Sequence, residues 1–277
     1  MLADAKELLK QAQKGGYAIP AVDYANADML KWFMETADGM KMPLILSLAQ
    51  VHITDAFSLN YAADIAMYFI KRKKAPVALH LDHGTDFAIV KQAIECGFNS
   101  VMIDASMKSF DENVAITKEV VAYAHSKGVH VEAELGHVGQ AERLSGKDND
   151  TVFTEPQDVS AFVKKTGVDY LAVSIGTTHG LYKGVPKINF DRLKEIREAS
   201  DIPLVLHGGS SSGDENLRKS AEGGITKVNL FSDFLLWAKN ETQNLDSLDY
   251  FEVLAAQERG MKNCLSHYYQ VLKTASF

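Results

Sequence analysis

The sequence predicts an α/β protein whose eight parallel strands close into a (β/α)8 barrel, the TIM-barrel fold. Short apolar runs alternate with amphipathic segments of helical spacing along nearly the whole chain, which is the pattern of β/α repeats around a parallel sheet. Several apolar runs end in a carboxylate or a histidine, as expected where strand ends share one functional face. No glycine-rich dinucleotide turn follows the first apolar run, which disfavours an open, doubly wound sheet.

Length and composition fit one such barrel. The chain has 277 residues, of which 46% are hydrophobic and 23% are charged, and these are the proportions of a soluble globular protein. Because a barrel of this type takes about 250 residues, we expect a single domain over residues 1–277, with an N-terminal helix and a C-terminal helical extension.

Charge and residue patterns argue against several classes of protein. The formal net charge of −7 and the pI near 5.7 disfavour a surface for nucleic acid or anionic membrane. No apolar run approaches the length of about 18 residues that a membrane span needs, and the N-terminus reads as an amphipathic helix rather than a signal sequence. Cys96 and Cys264 lack metal or redox spacing. We therefore expect a cytoplasmic protein that binds neither nucleic acid nor membrane.

Apolar spacing and breaker residues delimit the elements. Gly15 and Gly16 end the first helix, while Pro43 and Pro76 come directly before or at the start of apolar runs typical of buried strands. The predicted helices cover 3–14, 26–38, 56–74, 86–96, 111–127, 155–165, 190–199 and 214–222. The predicted strands cover 17–22, 43–48, 77–84, 100–104, 129–136, 168–175, 202–209 and 226–230.

Two segments between or within these elements have distinctive compositions. The basic run 71–74 closes the third predicted helix, where the helix dipole favours positive charge, so we interpret it as a solvated helix end. The segment 139–152 is polar, contains glycine and lacks periodicity, which predicts a lid over a site.

The predicted strand over 77–84 is the first sign of chemistry. It reads VALHLDHG and delivers Asp82 and His83 at its carboxyl end. Neither residue type stabilises a core unless it is paired. The alternative is a hydrogen-bonded core histidine beside a helix-capping aspartate, but two later His-Gly steps, at 179–180 and 207–208, favour a functional interpretation.

Closure of a barrel would bring the carboxyl ends of all strands to one mouth. The strand-end residues are Asp82, His83, Asp104, Glu134, His179, His207 and Asn229. Three histidines from three strands suit a borderline divalent ion, with Zn²⁺ first, and leave coordination positions open as a catalytic metal requires. The alternative is three unrelated structural histidines at separate strand ends.

Two loops contain features typical of phosphate binding. Lys183 lies between the glycines of the loop HGLYKG, and the glycine- and serine-rich run 208–213 leads into the helix predicted from 214. Free backbone N–H groups, serine hydroxyls and a helix N-terminus form an anion cradle, whereas the same run alone is also typical of a flexible turn. Beside a metal and a lysine, we interpret these loops as a phosphate site.

The metal, the phosphate site and the carboxylate together predict one kind of reaction. A metal can polarise a ketone and stabilise an enediolate, while a carboxylate next to a metal ligand moves a proton. We therefore expect aldol chemistry on a phosphorylated ketose.

Five ordered motifs, HLDHG, EAELGHVG, GTTHGLYKG, VLHGGSS and KVNL, resemble those of the class II, metal-dependent ketose-bisphosphate aldolases, and the resemblance covers nearly the whole chain. It implies reversible cleavage of fructose or tagatose 1,6-bisphosphate, or of a related ketose 1-phosphate, to dihydroxyacetone phosphate and an aldehyde through a zinc-stabilised enediolate. It also implies one catalytic Zn²⁺, a monovalent cation or second divalent ion in some members, and a homodimer or homotetramer.

The resemblance further implies a role for each matching residue. The matches to the Zn²⁺ ligands are His83, His179 and His207. Asp82 matches the proton carrier at the C4 hydroxyl, and Glu142 matches the lid residue that exchanges a proton on the dihydroxyacetone-phosphate half. The matches to an auxiliary metal site or supporting shell are Asp104 and Glu134. The matches to the C1-phosphate cradle and the substrate-contacting asparagine are Gly180, Lys183, Gly208, Ser210, Ser232 and Asn229.

The chain departs from the family pattern at the far end of the substrate. Asp23 and Ala49 stand where the family commonly has asparagine and serine, and Phe231 replaces a polar residue. An ionised carboxylate only accepts hydrogen bonds and repels a second phosphate. We therefore expect a distal group other than phosphate, or one held through His52 or a partner subunit, since Arg259 matches the family's distal arginine poorly.

Two other functions stay open at this point. In a barrel metallohydrolase Asp82 would activate a metal-bound water, but such enzymes usually carry an HxH motif on the first strand and residues 18–23 have none. A catalytically silent metal- or sugar-phosphate-binding protein would have no need of a carboxylate beside the open metal position.

Overall fold

The computed structural model describes residues 1–140, 151–182, 184–243, 245 and 249–277. The strands are β1 (Ile19–Asp23), β2 (Leu44–Ala49), β3 (Val77–Gly84), β4 (Ser100–Ile103), β5 (His130–Leu135), β6 (Tyr170–Val173), β7 (Leu204–Leu206) and β8 (Ile225–Leu230). The helices are α1 (Ala5–Gly15), α2 (Ala27–Met40), α3 (Leu59–Ile70), α4 (Phe87–Glu95), α5 (Phe110–Ser126), α6 (Pro156–Thr166), α7 (Phe190–Ala199), α8 (Asp214–Glu222), α9 (Ser232–Thr242) and α10 (Tyr250–Val271). A short 3₁₀ turn covers Gln50–His52.

The strands form a closed parallel barrel. Each strand pairs with the next along the chain, and β8 pairs with β1, where Asn229 lies opposite Ala21. The buried outer faces of the strands and the inner faces of the surrounding helices share one large apolar cluster. The predicted (β/α)8 barrel is therefore confirmed, and all carboxyl ends of the strands lie at one mouth.

Side-chain caps explain where most helices begin. Several helices start after a residue whose side-chain oxygen accepts a hydrogen bond from a backbone N–H of the first turn, which satisfies a donor that the helix cannot. These N-caps are Asp4, Asn26, Ser58, Asp86, Ser109, Asn189 and Asp249. Within the described ranges, no helix has a stretch long and apolar enough to cross a membrane.

The third helix is shorter than predicted. It ends at Ile70, so the basic run 71–74 follows the helix, and its assignment to the last helical turn is wrong. Local hydrogen bonds explain the early end, because the Asp38 carboxylate accepts from two backbone N–H groups at the end of the run. The amino group of Met1 also donates to the carbonyl of Lys73, at 2.9 Å.

Helix α1 closes the end of the barrel opposite the mouth. Its buried Leu8 and Leu9 share a second apolar cluster with interior residues of the strands, among them Tyr170 and Val205. Polar contacts to the amino ends of the strands hold the helix there, such as the 2.8 Å ion pair of Lys6 with Asp169. One end of the barrel is thus filled by apolar packing, which leaves the other end for chemistry.

We predict that Leu9→Ala destabilises the protein by about 2–5 kcal/mol, because the Leu9 side chain is fully buried and its truncation leaves a cavity under the barrel. The control is Lys10→Ala on the exposed face of the same helix, which should change the free energy of unfolding by less than about 0.5 kcal/mol. Urea unfolding of both variants measures the difference. Equal stability of the two variants would show that α1 does not support the barrel.

Candidate metal centre and active site

The end of β3 turns sharply into the mouth. The strand has a register shift between Leu81 and Gly84, and His83 adopts a left-handed backbone conformation with φ +49°, which is rare for a residue with a side chain. At Gly84 the backbone passes so close to β4 that an added Cβ would lie 2.6 Å from the carbonyl oxygen of Met102. The glycine in the HLDHG motif therefore lets the strand turn the imidazole of His83 inward.

Three imidazoles meet at this point. The Nε2 atom of His83 lies 2.9 Å from Nδ1 of His207 and 3.2 Å from Nε2 of His179. The structure thus brings together the three histidines that the sequence predicts as metal ligands, from the ends of three strands.

Carboxylates on the far side of two imidazoles orient their nitrogens. Nδ1 of His83 lies 2.8 Å from a carboxylate oxygen of Asp104, and Nε2 of His207 lies 2.8 Å from Oε1 of Glu132. Because a carboxylate accepts, each of these ring nitrogens carries the hydrogen and donates it. The opposite nitrogens, Nε2 of His83 and Nδ1 of His207, consequently point at the shared centre.

This donor set fits a divalent ion. A tetrahedral zinc ion with Zn–N bonds of about 2.0–2.1 Å holds its ligands about 3.3 Å apart, close to the two separations of the His83 nitrogen from its neighbours. With Asp104 accepting the Nδ1 hydrogen of His83, Nε2 of the same ring faces both neighbours and is the atom that would bind the ion in the neutral ring. The carboxylate–histidine arrangement is also the usual surrounding of a ligated metal.

Burial and neighbouring charges shift the pKa values of the three imidazole rings in different directions. Burial lowers the pKa of His179 to about 3, and burial, opposed by the hydrogen bond to Glu132, lowers the pKa of His207. Burial also disfavours charge on His83, but Asp82 and Asp104 raise its pKa to about 10. Two of the three rings are therefore held neutral, which is the form that binds a metal.

Asp82 lies beside this centre in its ionised form. One carboxylate oxygen accepts a 2.9 Å hydrogen bond from Nδ2 of Asn229, and the other lies 3.9 Å from Nε2 of His83. Burial would raise the pKa of Asp82, but the nearby imidazoles, chiefly the charged His83, lower it well below its usual range. A buried carboxylate held ionised at an open site can accept a proton.

Asp104 and Glu134 lie on the other side of His83. The three residues form a cluster whose ligand atoms lie within 4.8 Å of one another. Burial and the charge of Asp104 raise the pKa of Glu134 to about 8, and its buried Oε2 has no hydrogen-bond partner among the described residues. The residues predicted for an auxiliary metal or a supporting shell therefore lie close together, and Asp104 contacts His83.

A second layer of charged residues lies beneath the mouth, and its members are absent from the site predicted from the sequence. Lys227 and Glu132 are fully buried and form an ion pair of 2.7 Å, and the Lys227 ammonium lies 3.3 Å from Nε2 of His80. Burial would raise the pKa of Glu132, but Lys227 and His207 lower it to about 2. The sequence feature that could have identified this layer is the two-residue period of a strand. Each of these residues stands two positions before a residue at the end of its strand, so both face the same side of the sheet.

The loops after β6 and β7 are tied to each other. The Tyr182 hydroxyl accepts a 2.6 Å hydrogen bond from the backbone N–H of Thr178, and it lies 2.9 Å from the carbonyl of Gly208. At Gly208, with φ +66°, an added Cβ would lie 2.3 Å from the Thr178 carbonyl oxygen. Because Thr178 precedes His179 and Gly208 follows His207, this contact sets the spacing of two imidazoles.

The predicted phosphate cradle is brought together in part. The hydroxyl of Ser210 accepts hydrogen bonds from the backbone N–H groups of Phe231 and Asp233, at 3.0 and 3.4 Å, which joins the β7 loop to the start of α9 at Ser232. Gly180 and Gly208 lie in the two loops tied by the tyrosine. Lys183 and Glu142 lie outside the described residues, as does most of the predicted lid.

The residues predicted for the distal pocket lie around Asp82. Ala49 is its neighbour in the sheet, and the ring of His52 contacts that of Phe231, with centroids 4.4 Å apart. Burial and the charge of Asp82 raise the pKa of Asp23 well above its usual range, which favours its neutral form over the ionised carboxylate expected from the sequence. Arg259 instead pairs with Glu241 of α9, at 3.5 Å.

We predict that Tyr182→Phe lowers the free energy of unfolding by about 1–3 kcal/mol, because it leaves the buried N–H of Thr178 without its acceptor. Tyr61→Phe, at an exposed tyrosine of α3, is the control and should change stability by less than about 0.5 kcal/mol. Urea unfolding of the two variants tests the tie between the loops. A Tyr182→Phe protein as stable as the control would contradict it.

Comparisons with known proteins identify the family of the chain. The chain matches the family described as fructose-bisphosphate aldolase class-II over residues 3–276. Its fold is similar to that of the YdjI aldolase from Escherichia coli K12, with a TM-score of 0.89 and 30% identity over 99% of this chain and 98% of that one. A fructose-bisphosphate aldolase from Campylobacter jejuni shares the fold, with a TM-score of 0.80 and 22% identity over 99% of this chain and 95% of the other. The chain belongs to the class II fructose-bisphosphate aldolase family and is an aldolase, a carbon–carbon lyase.

Proposed function

We propose that this aldolase is zinc-dependent and reversibly cleaves a phosphorylated ketose to dihydroxyacetone phosphate and an aldehyde. The class of substrate comprises fructose and tagatose 1,6-bisphosphate and related ketose 1-phosphates. The observation that carries the proposal is the convergence of three imidazole nitrogens beside the ionised carboxylate of Asp82. Family membership supports aldol cleavage over hydrolysis, and the resemblance of the motifs supports a homodimer or homotetramer.

His83, His179 and His207 would hold the zinc ion. When bound there, the ion supplies Lewis acidity to the ketone oxygen of the substrate. Asp104 accepts the hydrogen bond that orients His83, and Asp104 and Glu134 together would support this ligand or hold an auxiliary cation. A monovalent cation or a second divalent ion belongs to the same proposal.

Asp82 would move the proton during carbon–carbon cleavage. As the C3–C4 bond breaks, its electron pair stays with the dihydroxyacetone-phosphate half, and the C4 hydroxyl loses its proton as C4 becomes the aldehyde carbon. Asp82 accepts that proton, and Asn229 orients the carboxylate by its hydrogen bond. The resemblance assigns the later proton return to C3 to Glu142.

The loops after β6, β7 and β8 would bind the C1 phosphate. Their backbone N–H groups, hydroxyls and a helix N-terminus suit an anion, and the contact between Ser210 and the start of α9 supports this assignment. The residues proposed for this cradle are Gly180, Lys183, Gly208, Ser210 and Ser232.

Two variants separate the metal from the proton transfer. We expect His207→Ala to lose both bound zinc and the production of dihydroxyacetone phosphate. Asp82→Asn should keep its zinc and lose about 10²–10⁴ in kcat, since it removes a general base and no metal ligand. Zinc content is measured by elemental analysis, and dihydroxyacetone phosphate by a coupled reductase assay. Full zinc and full rate in His207→Ala would exclude the metal site, and a change confined to KM in Asp82→Asn would exclude the proton transfer.

We further propose that the distal group of the natural substrate is not a phosphate. The buried oxygen Oδ1 of Asp23 and the buried Nδ1 of His52 have no hydrogen-bond partner among the described residues. Burial lowers the pKa of His52, so the ring brings no positive charge, and Asp82 adds a negative one. Such a pocket suits the hydroxyl groups of an uncharged aldehyde half better than a phosphate dianion.

The ratio of kcat/KM for fructose 1,6-bisphosphate to kcat/KM for 1-phosphate ketoses tests the distal group. We expect the wild type to prefer a 1-phosphate ketose and Asp23→Asn to shift activity toward the bisphosphate, because an amide adds hydrogen-bond donors and cannot become anionic. Asp28→Asn, at an exposed aspartate of α2, is the control for the replacement of a carboxyl group by an amide outside the site. A strong preference for the bisphosphate that Asp23→Asn keeps or lowers would contradict the proposal.

A further inference from the structure

The ion pair beneath the mouth lies directly behind one imidazole of the site. Each carboxylate oxygen of Glu132 contacts a different residue. Oε1 lies 2.8 Å from Nε2 of His207, and Oε2 lies 2.7 Å from the ammonium of Lys227. All three side chains are fully buried. A buried ion pair commonly adds no more stability than an apolar pair of similar volume, so its place inside this barrel calls for another reason.

The donors and acceptors of this group fix the orientation of each member. Lysine only donates, and a carboxylate only accepts. With Lys227 on one oxygen of Glu132, the other oxygen is left to accept the Nε2 hydrogen of His207. An imidazole that donates through Nε2 presents a bare Nδ1, and Nδ1 is the nitrogen that faces His83 at 2.9 Å.

We propose that Glu132 and Lys227 are positioning residues that hold His207 in the one tautomer able to bind the metal. This inference rests on the proposed function, because it concerns the zinc ion that the three histidines would hold. Neither residue touches the reacting atoms. They act on the site by keeping the hydrogen of the His207 ring on Nε2, the nitrogen that faces away from His83.

The hydrogen-bond pattern predicts the effect of replacing the carboxylate by an amide. In Glu132→Gln, the ammonium of Lys227 attracts the amide oxygen, which turns the amide NH₂ group toward His207. Nε2 must then accept, so the hydrogen of the ring moves to Nδ1 and blocks the nitrogen that faces the metal. We expect zinc affinity to fall about 100-fold, at the upper end of the effect of such supporting residues.

A second substitution should restore the binding. In Glu132→Gln/Lys227→Met, nothing holds the amide oxygen, so the amide can turn its oxygen to His207 and its NH₂ group to His80, whose Nε2 lies 3.6 Å from Oε2 of Glu132. We expect zinc affinity to return to within about tenfold of the wild type. A purely structural role of the ion pair predicts the opposite order, since the double variant carries the larger change.

The experiment measures the zinc dissociation constant of the full chain by competition with a chromophoric chelator. The wild type, His207→Ala, Glu132→Gln and the double variant are compared, and ¹⁵N chemical shifts of the histidines in the zinc-free proteins report the tautomer of His207. Ser100→Ala is the control, because Ser100 belongs to the same buried network through a 2.5 Å contact with His80 and has no described contact with Glu132 or His207.

The expected order of zinc affinity is wild type and Ser100→Ala, then the double variant, then Glu132→Gln. Wild-type affinity in Glu132→Gln, or a double variant that binds no better than Glu132→Gln, overturns this inference alone. A wild type whose zinc binding does not depend on His207 overturns the proposed metal site and this inference with it. If Glu132→Gln unfolds, the double variant still tests the proposal through its zinc affinity and the tautomer of His207. A hydrogen on Nδ1 of His207 in the double variant would contradict the proposal.

Discussion

The alternation of side chains along parallel strands is the constraint on which the whole site depends. In a closed barrel every second residue of a strand faces the interior, so residues two apart along a strand lie at two depths below the mouth. Three strands use both depths for polar residues, and the pairs are His80 and Asp82, Glu132 and Glu134, and Lys227 and Asn229. A slip of one residue in any of these strands would move both members of its pair out of the barrel.

The two layers of polar residues differ in how completely their hydrogen bonds are satisfied, and this matters because the free energy of a buried polar group depends on its partners. The lower layer consists of donors and acceptors that satisfy one another, as in the ion pair of Lys227 with Glu132. The upper layer is left partly unsatisfied, and buried atoms of Glu134, His179 and Asn229 have no hydrogen-bond partner within the described part of the chain. Unsatisfied polar atoms cost stability, and they are the atoms that a metal or a substrate can bind. The apolar packing of α1 at the other end of the barrel helps to offset that cost.

The two ends of the substrate would meet different kinds of surface. At the end assigned to the C1 phosphate, the hydroxyls of Tyr182 and Ser210 form hydrogen bonds with backbone groups of three loops. At the distal end, the contacts come from side chains on a short 3₁₀ turn and a loop, such as His52 and Phe231. Backbone contacts depend little on which residues occupy a loop, whereas side-chain contacts change with single substitutions. The distal end is therefore where members of one family can differ in the aldehyde that they accept.

The sequence by itself determined the barrel and its principal site, because periodicity and strand-end position are local properties of the chain. Asp82, His83, His179 and His207 could be found in this way, and the structure brings them together. For the supporting layer the two-residue period is the only local signal, and Glu132 in a strand looks like a solvent-facing residue until the closure of the sheet decides which face is interior.

Only the tertiary structure decided the details that involve several strands at once. The left-handed turn at His83, the hydrogen that Glu132 keeps on His207 and the raised pKa of Asp23 each depend on residues far apart in the chain. Burial and neighbouring charges set these properties, and both arise from the packing of the folded chain. The type of reaction follows from which residues stand at the strand ends, whereas the tautomers and charges that allow it follow from how those strands pack around one centre.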